Sequence, residues 1–219
     1  MVSALASFNQ NKSDVDRLME IHATIGGEGP GRKWNVEVLH KAAIVLTCAV
    51  WEAFAEDLIL EAIEHIAKHL ASPDKLPIHL KKQIAKQIKS DLHDLSPWQL
   101  AGNGWQGVVR DNATTLVGAV AGRLNTPKSE QLKDLYKRSL GMPDITSSWI
   151  RRKLTPEQAC KRLDEFITLR GAIAHRGQDA NSVTKAKAEG FLALVSELVG
   201  FTDQAVRAHA YSLTGKRMR

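Results

Sequence analysis

Cysteine, aromatic side chains and long apolar runs are all scarce in this sequence. The two cysteines, Cys48 and Cys160, are too few for a disulfide framework, and a reduced, packed thiol is expected for Cys48 because it lies in an apolar helical run. No run reaches the ~20 apolar residues that cross a bilayer, and the first residues lack the basic start and apolar core of a secretion signal. These absences predict a cytoplasmic protein with no membrane partner.

The residues that are abundant indicate a helical protein with a basic surface. Aromatics make up 5% of the sequence, prolines number 7, and Ala, Leu, Lys and Glu are frequent, which favours helices. The formal net charge of +6 permits a polyanionic partner such as a nucleic acid. The length of 219 residues suits one domain. We therefore expect a single all-α domain over residues 1–219, with a frayed N-terminus (about 1–12) and a frayed basic C-terminal tail (about 212–219).

Apolar periodicity predicts a set of helices, of which the longest is expected to be central. That helix is apolar nearly all round between Ala42 and Ala55, except for Thr47 and Glu52, so it should be buried. The helices are predicted over about residues 13–24, 35–70, 78–92, 112–124, 131–140, 155–177 and 183–211.

Glu52 is the carboxylate that this central helix must accommodate, next to Trp51. A carboxylate within an apolar run is costly unless a cation or several hydrogen-bond donors meet it. Arg170 is the candidate partner. Alternatively, Glu52 and Glu56, which lie one turn apart, face solvent through a gap between helices.

Three further features have both a functional and a purely structural interpretation. A Glu-x3-His-x3-His pattern over residues 61–69 has a spacing that can ligate a metal, but no further ligand completes the set, so no metal is expected. The lysines of residues 78–92 form a solvated face or a secondary RNA contact. Trp98 and Trp105 stack on bases or, more simply, pack at the end of the bundle.

An Arg-x4-His spacing occurs twice, at Arg17 with His22 and at Arg170 with His175. Chance alone supplies about half of one match from the arginine and histidine content, so the surroundings must decide between them. Arg17 and His22 lie in a polar, charged stretch that is typical of a solvated helix surface. Arg170 and His175 lie in the apolar helix LDEFITLRGAIAHRG, residues 163–177. The second pair is therefore the candidate for chemistry.

Three blocks of the sequence resemble the HEPN superfamily, and most closely its RiboL-PSP-HEPN type. They are AAIVLTCAVWEAFAEDLI, NTPKSEQLKDLYKRSLGMPDITSSW and LDEFITLRGAIAHRG, which follow the family's order across most of residues 36–200. LRGAIAHRG resembles the family's R-x4-6-H signature, with Arg170 and His175 on its two defining positions. The sequence departs from the family at Gly171, where a polar residue is common.

The resemblance implies an antiparallel helical bundle with additional helices, and a homodimer that brings two motifs into one cleft. It also implies metal-independent endoribonuclease activity without a cofactor, in a toxin, RNA-processing or defence system. RNA is then the expected partner, together with an antitoxin or another partner protein. The alternative is a non-catalytic HEPN module that binds RNA or a partner protein.

The residue types of the pair match the chemistry of RNA cleavage. Histidine, with an ordinary pKa of about 6.5, exchanges protons near neutral pH, so His175 is expected to take the proton of the 2′-OH or to protonate the leaving oxygen. Arg170 is expected to hold the phosphate, with Glu52 in support, and the product is a 2′,3′-cyclic phosphate. Weaker contacts to the RNA backbone are expected from nearby basic residues, namely Arg151, Arg152, Lys153 and Arg176.

The geometry of a straight helix separates the two side chains. Five residues place Arg170 and His175 about 140° apart around the axis and ~7.5 Å apart along it. Both side chains reach one cleft if the helix end unwinds near Gly177, or if a dimer brings in a second pair.

Overall fold

A computed structural model describes residues 2–26, 37–121, 127–151, 154–176 and 183–218. These residues form eight α-helices and no β-strand, which confirms the predicted all-α fold. None of the helices in the described ranges is long and apolar enough to cross a membrane. The helices are α1 (Ala4–Gly26), α2 (Glu37–His69), α3 (Ile78–Ser90), α4 (Gly104–Asp111), α5 (Ala113–Ala121), α6 (Ser129–Leu140), α7 (Pro156–Arg176) and α8 (Lys185–Thr214).

The core is built around aromatic side chains of α2. Trp51 and Phe54 are 0% and 1% exposed, and their rings stack with centroids 5.9 Å apart. Trp149, which precedes α7, meets Trp51 edge-on at 6.1 Å and donates its indole N–H to Thr202 of α8 at 2.9 Å. Burying a side chain of the size of Phe contributes about 1.5–3 kcal/mol. This cluster therefore holds α2, α8 and the segment before α7 together.

α1 packs antiparallel to α2, and the prediction of a frayed N-terminus over residues 1–12 is wrong. The Ala4 amide donates to the Glu61 carboxylate near the end of α2 at 2.9 Å. Phe8 is buried against Phe54, with ring centroids 5.7 Å apart. The segment is polar in composition, so its sequence does not indicate these two contacts, which are made with residues far away in the sequence.

α8 runs parallel to α2, and its C-terminal end is more ordered than predicted. His40 near the start of α2 contacts the Val183 carbonyl at 3.0 Å, and His65 near the end of α2 contacts the Lys216 carbonyl at 3.1 Å. The helix continues to Thr214, and Met218 is buried. The tail is basic as predicted, but the prediction that it is frayed is wrong for the residues up to Met218.

Side-chain caps fix the starts of α6 and α7. Thr155 and Gln158 exchange side-chain to backbone hydrogen bonds at 3.2 and 3.3 Å, with Pro156 as the first helical residue, so they form a capping box. α6 begins at Ser129, whose amide and hydroxyl donate to the Asp164 carboxylate of α7 at 2.8 and 2.9 Å. This second cap joins α6 to α7.

One side of α2 remains open, so the prediction that its middle is buried all round is wrong. Ala49 and Ala53 are exposed, while Glu52 and Glu56 are half-buried. Their i, i+3, i+4 and i+7 spacing puts these four residues, here called the open α2 face, on one side of the helix. The described elements that cover the rest of α2 leave this face uncovered.

The turn-rich segment before α5 contains a helix that its composition does not predict. α4 buries Trp105 and Val109, so the structural interpretation of Trp105 is confirmed. Trp98, in contrast, is 74% exposed. The two tryptophans therefore have different environments despite their similar sequence context.

Phe8→Ala should lower the free energy of unfolding by about 3–5 kcal/mol, because it removes a buried ring and leaves a cavity beside Phe54. Val2→Ala is the matched control: Val2 is 65% exposed, so the change should stay within about 0.5 kcal/mol. Urea denaturation measures both. Similar, small effects of the two substitutions would mean that α1 is not anchored through Phe8.

Candidate functional site

The side of α7 that carries Arg170 is buried in the first half of the helix and becomes exposed toward its C-terminal end. Ala159, Leu163 and Ile167 are buried, Arg170 is half-buried, and Ala174 is exposed. A helical period of 3.6 residues places all five within about 80° of one another around α7. The face that packs against the bundle in the first half of α7 is therefore open to solvent beyond Arg170.

Arg170 lies within electrostatic range of α2. Burial raises the pKa of the Cys48 thiol to about 12, and the positive charge of Arg170 acts in the opposite direction. A thiol with this pKa stays protonated at neutral pH, so Cys48 does not act as a nucleophile. Burial and the charge of Glu56 raise the pKa of Glu52, and Arg170 again lowers it. Arg170 thus lowers the pKa of two residues that lie one turn apart on α2.

The interaction of Arg170 with Glu52 acts through space. Among the ion pairs formed by the described residues, none joins these two side chains. Glu52 is half-buried at the edge of the open α2 face. It therefore has both features that the sequence suggested as alternatives, a nearby cation and a gap between helices. Because the guanidinium group is not locked in a salt bridge with Glu52, its N–H donors can turn toward an anion.

His175 is exposed in the last turn of α7, which stays helical to Arg176. The regular helix keeps Arg170 and His175 about 140° apart and ~7.5 Å apart along the axis. α7 is antiparallel to α8, since Phe166 stacks on Phe191 while Arg151, ahead of α7, pairs with Glu197 further along α8. Because α8 is parallel to α2, His175 lies beyond Arg170 in the direction of the start of α2. One chain presents the pair on different sides of α7.

The other basic residues of the predicted site are more distant or lie outside the described structure. Arg151 is exposed, pairs with Glu197 and precedes the start of α7, which is roughly 20 Å from Arg170 along that helix. Arg152 and Lys153 lie outside the described residues. The backbone of Arg176 ends α7, and its side chain also lies outside the described structure.

Sequence reasoning did not assign Cys48, Glu56 and the exposed alanines of α2 to the surroundings of Arg170. The i, i+4 spacing of Cys48 and Glu52 is a signal that these two residues share a side of the helix. No local pattern indicates that α7 covers that side or that the neighbouring side stays open. The packing of the bundle decides both.

Glu52→Gln should stabilise the protein more at neutral pH than near pH 4. The folded-state pKa of Glu52 is raised, so stability is lost as the pH rises through that pKa, and glutamine removes this loss. The stabilisation by Glu52→Gln should be larger in an Arg170→Gln background, which lacks the cation that lowers the pKa of Glu52. Urea midpoints of the four proteins at both pH values measure the coupling.

Glu165→Gln, an exposed position of α7 with the same change of charge, is the control for that experiment. If Glu52→Gln has the same effect with and without Arg170, then Arg170 does not stabilise the ionised form of Glu52.

The model of the RiboL-PSP-HEPN family matches residues 10–208, a range that includes α2, α6, α7 and most of α8. No curated protein and no solved structure matches the chain. The match spans far more than half of the sequence and agrees with the all-α architecture. The chain therefore belongs to the RiboL-PSP-HEPN family, whose HEPN domain suggests a ribonuclease or an RNA-binding module.

Proposed function

We propose that the protein is a metal-independent endoribonuclease in which Arg170 and His175 act on one phosphodiester. The observation that carries the proposal is the position of the HEPN signature on α7: Arg170 is half-buried beside Glu52, and His175 is exposed at the helix end. Cleavage by the RNA 2′-OH requires a positioned positive charge and an accessible general acid or base.

In the proposed reaction, the 2′-oxygen attacks phosphorus and the bond to the 5′-oxygen breaks. The products are a 2′,3′-cyclic phosphate and a free 5′-hydroxyl. His175 takes the proton of the 2′-OH or supplies a proton to the leaving oxygen. Arg170 contacts the non-bridging oxygens and stabilises the charge that develops on them. DNA lacks the attacking hydroxyl and should not be cut.

The separation of Arg170 and His175 around α7 supports a homodimeric active form. A second copy packed at the open α2 face would place its own Arg170 and His175 near those of the first. One histidine then removes a proton while the other donates one. The exposed Ala49 and Ala53 suit such a contact, because small side chains at a helix contact allow the two helix axes to approach closely.

The wider proposal covers the whole chain and its cellular setting. We treat residues 1–219 as one HEPN domain that works in the cytoplasm as a toxin, in RNA processing or in defence, with an antitoxin or another protein as regulator. Arg176 and the cluster at residues 151–153 would add salt-sensitive contacts to the RNA backbone.

A non-catalytic module that binds RNA or a partner protein is the second candidate, and Gly171 favours it. A Cβ atom at Gly171 would meet no heavy atom within 4 Å, so packing does not require glycine at this position. The polar side chain that is common there in the superfamily is absent although it would fit. If it assists catalysis, its loss weakens cleavage and leaves binding intact.

Single-stranded RNA should be cut in the presence of EDTA, and His175→Ala should lower the rate by about 10²–10⁴-fold because it removes proton transfer. Arg170→Ala should cause a loss of similar size. The matched control is Arg17→Ala with His22→Ala, the other Arg-x4-His pair, which should leave the rate unchanged. Gel analysis of a labelled oligonucleotide, with chemical identification of the cyclic phosphate end, measures the reaction.

A requirement for a divalent metal, or full activity of His175→Ala, would contradict this mechanism. RNA that is bound at low salt but never cut, with affinity reduced by Arg170→Ala, would establish the binding module instead. In that case Gly171→Asn tests whether the missing side chain restores cleavage.

Ala49→Arg should convert a homodimer into monomers and abolish cleavage, because it places a bulky cation in the proposed contact of two open α2 faces. Ala85→Arg introduces the same side chain at an exposed alanine of α3 and should leave both properties unchanged. Sedimentation velocity measures the oligomeric state. Dimers that persist with Ala49→Arg would locate the contact elsewhere.

A further inference from the structure

A cleft lies at the C-terminal end of α2, away from Arg170, which is beside the middle of that helix. Its volume is about 480 Å³, within the range of about 300–1,000 Å³ that is typical of ligand sites. We call it the tail cleft, because the C-terminal half of α2 and the residues after α8 form its walls. Along α2, its histidines lie roughly 20–25 Å from Glu52. The residues used below are Glu64, His65, Lys68, His69, Lys216 and Arg217.

The wall that follows α8 is held in place. Gly215 adopts a left-handed conformation (φ +66°) that ends α8 and turns the chain back toward α2. The Lys216 carbonyl can only accept a hydrogen bond, so His65 donates its Nε2–H to it at 3.1 Å. Met218 is buried beyond that point. Lys216 and Arg217 are therefore presented by an ordered segment, which reduces the entropy lost when they meet a ligand.

Positive charge dominates the tail cleft. Lys68, Lys216 and Arg217 are exposed, and the ion pairs among described residues do not include them. The Glu61 carboxylate at the edge of the cleft is already engaged by Arg207 at 3.3 Å and by the Ala4 amide at 2.9 Å. Glu64 remains as the carboxylate that opposes three cations.

The histidines of the tail cleft are not arranged for a metal. Nε2 of His65 is occupied by its bond to the Lys216 carbonyl, and Glu61 has its own partners. No group of three or more potential ligands is positioned to hold a metal ion within the described parts of the chain. The His-x3-His spacing of His65 and His69 therefore places two imidazoles, with ring centroids 4.7 Å apart, in a cationic cleft.

The groups around His69 disfavour a further positive charge on its ring. Partial removal from water lowers the pKa of His69, and so do the neighbouring His65, Lys68 and Lys216. Glu61 and Glu64 on α2 and Arg217 on the tail are the other charged groups that line the cleft. A bound anion would relieve the repulsion and favour protonated His69, so anion binding should strengthen as the pH falls.

We infer that the tail cleft binds a phosphate group at a site separate from Arg170 and His175. Two lysines, an arginine and a histidine converge from two walls, a combination that suits an anion with several oxygens, and the guanidinium fork of Arg217 can contact two of them. The phosphate belongs to a free nucleotide or to a polynucleotide backbone that extends beyond the proposed cleavage site. The site does not depend on cleavage activity.

The test is an NMR pH titration of the histidine ring protons in phosphate and in chloride at equal ionic strength. Phosphate should raise the pKa of His69 and leave that of His79, an exposed histidine of α3, unchanged. Lys216→Gln with Arg217→Gln should weaken phosphate binding about tenfold or more, as expected when charge-assisted hydrogen bonds are lost. Arg170→Ala should leave it unchanged.

Lys82→Gln with Lys86→Gln is the matched control, because it removes the same charge from exposed positions of α3. An unchanged His69 titration in phosphate, or equal weakening by the two double substitutions, would overturn the inference. The source of the phosphate is identified by comparing deoxythymidine monophosphate with single-stranded oligodeoxythymidylate. The proposed enzyme cannot cut either of them. Affinity that grows with chain length indicates a backbone, and affinity equal to that of the mononucleotide indicates a free nucleotide.

Discussion

The burial of the middle of α2 is the constraint on which the rest of the structure depends. Trp51 and Phe54 need partners on several sides, and Trp149, Phe8 and the apolar side of α8 supply them. Near the C-terminal end of α2, Glu61 anchors the start of α1 and His65 anchors the segment that follows α8.

The same helix also determines where charge can be placed. A fully enclosed α2 could not hold an unpaired carboxylate at Glu52, because the cost of desolvation would exceed what a single distant cation returns. The open α2 face reduces that cost by leaving Glu52 half-buried, and Arg170 reduces it further through space. The structural and proposed catalytic roles of Arg170 are therefore compatible, since an electrostatic neighbour does not occupy its N–H donors.

Helical geometry places Arg170 and His175 on two different sides of α7. Its core side begins with Leu163 and Ile167 and ends with Arg170, while the exposed His175 lies about 140° around the axis. An Arg-x4-His signature on a regular helix thus addresses two surfaces of one molecule. In the proposed homodimer, a second molecule would supply the other surface, which connects the signature to the open α2 face.

The sequence by itself determined the all-α class, the approximate bounds of α2, α7 and α8, and the family, because each of these depends on local patterns or on motif order. Tertiary structure alone decided that residues 4–12 are anchored, that Asp164 caps α6, that one side of α2 stays open, and that the basic tail forms a cleft with His65 and His69. These features depend on contacts between residues distant in sequence, which no local periodicity records.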